Sequence, residues 1–222
     1  MTIVDISMTS LQTNIFNPFS VDEGQSLELI DVFDIAWKKT IELYPHSALT
    51  YLIIGLSRDI DIQIVTKWPY CSCKVFWLFA SDATHPVTGS IKVLLQHSHT
   101  SAEVELISFL RDGANVSIDG ALDIWNHLDQ VHGRLLEQNI VLWKNVSIKT
   151  LPKLNIASHN VRASHGANID TLDQQKLFYM MSRGLTQKQS QTLLVDWYID
   201  YVLSNFSEIS DSEKKSVYKK LT

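Results

Sequence analysis

Apolar positions along the chain change their spacing, and the changes divide it. From Leu27 onward short β-branched and aromatic runs follow one another: LELIDVF, LTYLIIGL, IDIQIV, KVFWLFA, SIKVLLQ, VELISFL, NVSI, ALDIW, NIVLW and KLNIAS. Their lengths, and the brief polar spacers between them, are those of β-strands. Several alternate strictly: Val75, Trp77 and Phe79 fall on one face of a pleated strand, as do Ile91, Val93 and Leu95, and that face is expected to line the core. The runs recur about every 10 to 16 residues, a spacing shared by sandwiches, barrels and β-solenoids, so periodicity alone does not choose among them. No exact internal repeat is visible.

Residues 1–24 show no sustained period and are interrupted by Pro18, which predicts a loosely ordered lead-in to a β core over 25–169. At Asp170 the pattern turns helical, defining a C-terminal helical domain over 170–222. Asp173 is placed to cap QQKLFYMMSR, and Gly184 follows as a residue suited to the left-handed turn that ends a helix. Thr186 and Gln189 form a capping box ahead of Leu194, Trp197, Tyr198, Tyr201 and Val202 at helical spacing. A second box, Ser210 with Glu213, precedes a short basic helix, KKSVYKKL.

Composition narrows the function classes. With 222 residues, 45% of them hydrophobic and 19% charged, the chain can bury a sizeable core. A formal net charge of -5 lacks the basic surface that nucleic acid requires, and the lysines of the C-terminal tail are too few to supply it. No leader pattern and no apolar run of about 18 residues appears, so neither secretion nor a membrane span is expected, and a cytoplasmic location is. Cys71 and Cys73 lie too close in sequence for an unstrained mutual disulfide. They are expected to be buried, inert thiols in a reducing compartment rather than a metal pair, because two thiolates fall short of the usual four ligands. Neither a phosphate-binding loop nor a dinucleotide fingerprint nor a nucleophile elbow is present.

Residues 153–203 carry four ordered motifs: Ser164-His165-Gly166-Ala167, Leu172-Asp173, Leu177-Phe178-Tyr179 and Ser182-Arg183-Gly184 ahead of an apolar helix. This succession resembles the C-terminal region of the SufB/SufD family of iron–sulfur cluster assembly scaffolds. A weaker likeness reaches upstream to about Leu94. In its detail the chain is SufD-like, because SufB proteins carry Glu at the position of Gly166, and it resembles a shortened member. The resemblance implies a mainly β fold, a right-handed parallel β-helix followed by a C-terminal α-helical domain.

It also implies a non-catalytic scaffold that pairs with a SufB-like subunit or with itself through the β-helix and docks a SufC-like ATPase on its helices. Any iron–sulfur cluster would be transient rather than tightly bound. The family's interface histidine falls on His165, an imidazole that ligates iron more exchangeably than thiolate does. His159, of the same parity on an uninterrupted strand, is secondary. Leu177, Phe178 and Tyr179 are expected to pack mainly against the end of the β-helix. Tyr179, Arg183, Trp197 and Tyr201 are the candidates for ATPase docking. Ala163 stands where many SufD proteins have Cys, which admits a divergent structural subunit without cluster activity. A second alternative is a metal-dependent enzyme on a cupin-like closed barrel, drawn from Gly89, His97-Ser98-His99 and Glu103.

Overall fold

The computed structural model describes residues 3–7, 19–33, 36–55, 59–171, 174–207 and 209–221. Its strands go alternately to two sheets, and every pairing in both is parallel. Sheet A takes β1 (Ile3–Ser7), β3 (Ser26–Phe33), β5 (Ala48–Gly55), β7 (Ser72–Ser81), β9 (Ser101–Leu110), β11 (Asp129–Val141) and β14 (Asn160–Thr171), neighbours in that order. Sheet B takes β2 (Phe19–Val21), β4 (Trp37–Leu43), β6 (Ile60–Thr66), β8 (Val87–Leu95), β10 (Asn115–Ile124) and β12 (Ser147–Thr150). β13 (Lys153–Ile156) also pairs with β10, beyond the end of β12. One strand from each sheet makes a rung, and the rungs stack as a parallel β-helix. Within the segment read as a lead-in, Ile3–Ser7 supplies β1 and Phe19–Val21 supplies β2.

Stacking turns the period-2 pattern into columns. In sheet A, Leu29, Tyr51, Val75, Val104 and Leu135 lie above one another, all buried and facing the lumen. Across the lumen Ile41, Ile64, Val93 and Leu122 form a matching column in sheet B. The two sheets differ on their outer faces. Sheet B keeps the burial alternation of a half-solvated strand, as β10 shows. Sheet A is covered, because Ile30, Leu52, Phe76, Leu78, Ile107 and Phe109 point outward against the C-terminal helices. Burial on both faces is why KVFWLFA and VELISFL read as continuous apolar runs.

The helices are α1 (Gln174–Ser182), α2 (Gln187–Leu203) and α3 (Asp211–Leu221). Val195, Ile199, Val202 and Leu203 of α2, with Val217 and Leu221 of α3, supply the apolar stripe that seals sheet A. Both expected capping boxes form. Thr186 Oγ1 accepts from Gln189 N at 3.2 Å while Gln189 Oε1 accepts from Thr186 N at 2.8 Å, and Ser210 pairs with Glu213 in the same way. Gly184, with φ +94°, ends α1: its amide donates to Met181 O and that of Leu185 to Met180 O, a Schellman pattern. Asp173 and Leu172 lie outside the described residues.

Candidate functional site: the open last rung

The β-helix ends on β14, which among the described residues pairs only with β11 and has no strand on its other edge. All of its residues are exposed or half-buried. The register fixes where each motif residue lies. His165 continues the inward column above Leu135, and Ala167 sits above Glu137. Ser164 and Gly166 face outward above Arg134 and Leu136. A Cβ on Gly166 would approach Leu136 no closer than 3.6 Å, so nothing steric demands glycine there. The His165 imidazole crosses the mouth of the lumen, its Nδ1 lying 3.2 Å from the carbonyl of Pro152 on the sheet B side. Around it the inward residues of the last rung, Ile156 and Ile169, are uncovered, as is Leu151 in the break between β12 and β13.

His159 is not a second member of this column. β13 stops at Ile156 and β14 starts at Asn160, so His159 lies in the corner between sheets and the shared face expected of one uninterrupted strand does not exist. Cys71 and Cys73 are buried in the lumen far back from the mouth. Burial pushes the Cys71 thiol up and that of Cys73 up to about 12, helped there by Cys71, which leaves both protonated.

The helical motif residues divide by helix geometry. Leu177 is buried, whereas Phe178 and Tyr179 are exposed at 75% and 60%, contrary to the packing expected of them. Consecutive residues lie about 100° apart on a helix, so only one of the three can face the interior. Arg183 stacks its guanidinium over the Tyr179 ring at 5.3 Å. Trp197 and Tyr201 stack at 6.3 Å, with Trp197 outermost and the Tyr201 hydroxyl donating to Glu105 at 3.2 Å. Phe178, Tyr179, Met181, Leu193 and Trp197 make the helical unit conspicuously apolar outside.

A barrel metal site is overturned by the topology, since both sheets are parallel and form a solenoid. His97 and His99 occupy a corner between β8 and β9, stacked on Trp68 and Tyr70 of the preceding rung at 6.2 and 4.7 Å. His46, Tyr70 and His99 hold the same left-handed corner position, with φ of 57°, 63° and 59°. Glu103 sits on the outer face of β9, paired with Lys74 at 3.7 Å. Among the described residues no group of three or more His, Cys, Asp or Glu converges.

Sequence reading missed Glu137, which is 1% exposed directly beneath the last rung. The signal was available: the parity of Leu135 places Glu137 and Asn139 on the inward face of the same strand.

A parallel β-helix closed by three helices, ending on a strand that carries Ser164 to Ala167, agrees with a match to the family described as SUF system FeS cluster assembly, SufBD core domain, over residues 49–197. The chain belongs to the SufBD family. Among curated proteins it is 26% identical to the iron–sulfur cluster assembly protein SufD of Escherichia coli strain K12 over 40% of the chain and 21% of that protein. It is 29% identical to an iron–sulfur cluster assembly SufBD family protein of Synechocystis over 50% and 24%, respectively. With the assembly protein SufB of Bacillus subtilis it shares 20% identity over 77% of the chain and 37% of the relative. This SufBD chain thus spans between about a fifth and somewhat more than a third of the length of these relatives. No helix among its described residues is long and apolar enough to cross a membrane.

Proposed function

We propose that this SufBD chain is a SufD-like scaffold subunit for iron–sulfur cluster assembly, working in the cytoplasm without a catalytic step of its own. It pairs through β14 with a SufB-like subunit or a second copy. His165 then lies at the seam as an exchangeable ligand to iron or to a transient cluster. The observation that carries this reading is the last rung, whose outer edge has no strand partner among the described residues, with an imidazole across the lumen mouth. Such an edge is a template for another strand. Apolar Ile156, Ile169 and Leu151 beside it add area that pairing would bury.

The outer faces of α1 and α2, with Tyr179, Arg183, Trp197 and Tyr201, are the docking surface for a SufC-like ATPase, which supplies the hydrolysis. Nucleotide-driven movement of that ATPase pulls on the helices, and through the shared apolar core of α2 and sheet A the strain reaches the seam.

Anaerobic co-purification tests both contacts. Tagged chain should retain a SufC-type ATPase, and Arg183→Glu should weaken that retention at least tenfold. It should also pair with a SufB-type subunit or itself, and lose pairing when β14 is blocked by proline at Ser164. Recovery of neither complex from the wild-type chain overturns the reading.

A further inference from the structure

The C-terminal helices cover the outer face of sheet A along Leu52, Phe76 and Ile107, and leave a strip uncovered where its strands begin. Two outward columns border that strip. One runs Ala48, Ser72, Ser101, His132 and Arg162, and the other Thr50, Lys74, Glu103, Arg134 and Ser164. Small side chains on three successive rungs of the first column leave a furrow of about 480 Å³, within the size range of small-molecule sites. Ser72 and Ser101 line its floor with hydroxyls. Toward β14 the small residues give way to His132 and Arg162, side by side on adjacent strands, with Arg134 two residues beyond His132 on the same face. Adjacent strands lie about 4.8 Å apart and alternate residues about 6.6 Å apart, so these three side chains can close on one ligand.

Charge is unbalanced at that end of the furrow. Lys74 is answered by Glu103 at 3.7 Å and donates to Asn205 Oδ1 at 2.7 Å. Arg134 reaches Glu105 at 3.5 Å, a carboxylate that also accepts from the Tyr201 hydroxyl. His132 and Arg162 are exposed and make no hydrogen bond, ion pair or ring contact among the described residues. The furrow therefore offers guanidinium, imidazole and hydroxyl donors, while the acids beside it, Glu103 and Glu105, are already engaged. We propose that it binds a small phosphorylated molecule, with the phosphate between Arg134 and Arg162 and the remainder along the trough floored by Ser72 and Ser101. A phosphate monoester presents acceptors and nearly two negative charges, which two guanidinium forks match better than they match a carboxylate. Glu103, next to Arg134 in its column, opposes the anion and so sets the affinity. The site is separate from the edge of β14 and from the exposed face of α1 and α2, and it stands whether or not the chain is a scaffold.

The full chain is titrated at fixed ionic strength with glycerol 3-phosphate, AMP and inorganic phosphate, followed by calorimetry and phosphorus NMR. One saturable site per chain is expected, with at least one ester bound tenfold or more tighter than inorganic phosphate. Arg162→Gln and Arg134→Gln should each weaken that ester at least tenfold, and Glu103→Gln should tighten it several-fold. Arg162→Gln removes no contact of the folded chain, so it decides the matter should Arg134→Gln, which strips Glu105 of its cation, fold poorly. Lys149→Gln, an exposed change on sheet B, should leave the titration as it is. Inorganic phosphate bound as tightly as both esters overturns the phosphorylated molecule in favour of the free ion. No saturable binding of any probe, or binding unchanged by the folded arginine variants, overturns the site.

Discussion

Glu137 and Gly89 show how single side chains set the limits of this lumen. Burial raises the Glu137 carboxyl up to about 7, with Asp119 adding to the effect and Thr150 and Gly120 opposing it. An unfolded glutamate titrates near about 4.3, so between those values the folded chain keeps a proton that the unfolded chain has lost. Stability from this group is therefore complete at low pH, falls as pH rises toward 7, and levels off above it. The loss has an upper scale of about 4 kcal/mol. Urea unfolding at pH 5 and pH 8, with a chelator present, should show a steeper decline for the wild-type chain than for Glu137→Gln, and parallel declines would refute the linkage. Gly89 illustrates the steric side. A Cβ there would lie 2.4 Å from Ile60 O and 2.8 Å from the Trp77 ring, so the largest lumen side chain needs the smallest residue opposite it. Gly89→Ala is expected to cost about 3 kcal/mol in a urea midpoint measurement, the overpacking penalty of a site whose nearest obstacle is backbone.

Elements were legible in the sequence to the degree that their neighbours bury them. β5, β7 and β9 announce themselves because sheet A is covered on both faces there, and β8 because its inward residues alternate cleanly. WKKTIEL escaped notice as β4, since Lys39 occupies an inward position that a sequence reader assigns to solvent. Its charge is answered by Asp31 from the facing sheet, a long-range pairing that no local pattern reveals. The first half of β11 was hidden likewise by polar residues at its start, and NVSI and ALDIW proved to be one strand, β10. β14 carries a weak strand signature: between the apolar inward residues Val161 and Ile169 its inward positions are Ala163, His165 and Ala167, small or polar, and no further rung among the described residues buries them. Only the resemblance located it, and the same lack of a neighbour is what makes it a candidate site. Helix ends, by contrast, are chemically local and were read correctly at Thr186 and Ser210. Thr186→Ala removes the acceptor for Gln189 N and should destabilise the α2 start by about 1 kcal/mol, visible as faster amide exchange in its first turn.

At the scale of the molecule, two apolar surfaces among the described residues bear on assembly, and they lie on different parts of it. One is the outer side of α1 and α2, where Phe178, Tyr179, Leu193 and Trp197 are exposed although Val195, Ile199 and Val202 already satisfy the packing on sheet A. The other is the lumen mouth, where the stack of rungs stops and Ile156 and Ile169 keep the inward direction of their columns without a layer above. Isolated apolar residues on a surface are ordinary, but an unpaired strand edge beside an open core is normally covered, charged or shortened. Here it is 12 residues long, and its only charges are Arg162 and Asp170 near its two ends. Ile169→Lys places a charge inside any seam formed at this end while leaving the monomer's own contacts almost untouched, because the side chain is 59% exposed. The monomer's thermal midpoint should thus hardly move, as for other exposed substitutions within about 0.5 kcal/mol. Pairing with a SufB-type subunit or with itself should weaken at least tenfold, since a desolvated, unpaired ammonium costs more than about 1.4 kcal/mol. Sedimentation equilibrium of the wild-type chain and the variant reads that difference directly. An association constant unchanged by the lysine would mean that partners meet this protein elsewhere than at β14.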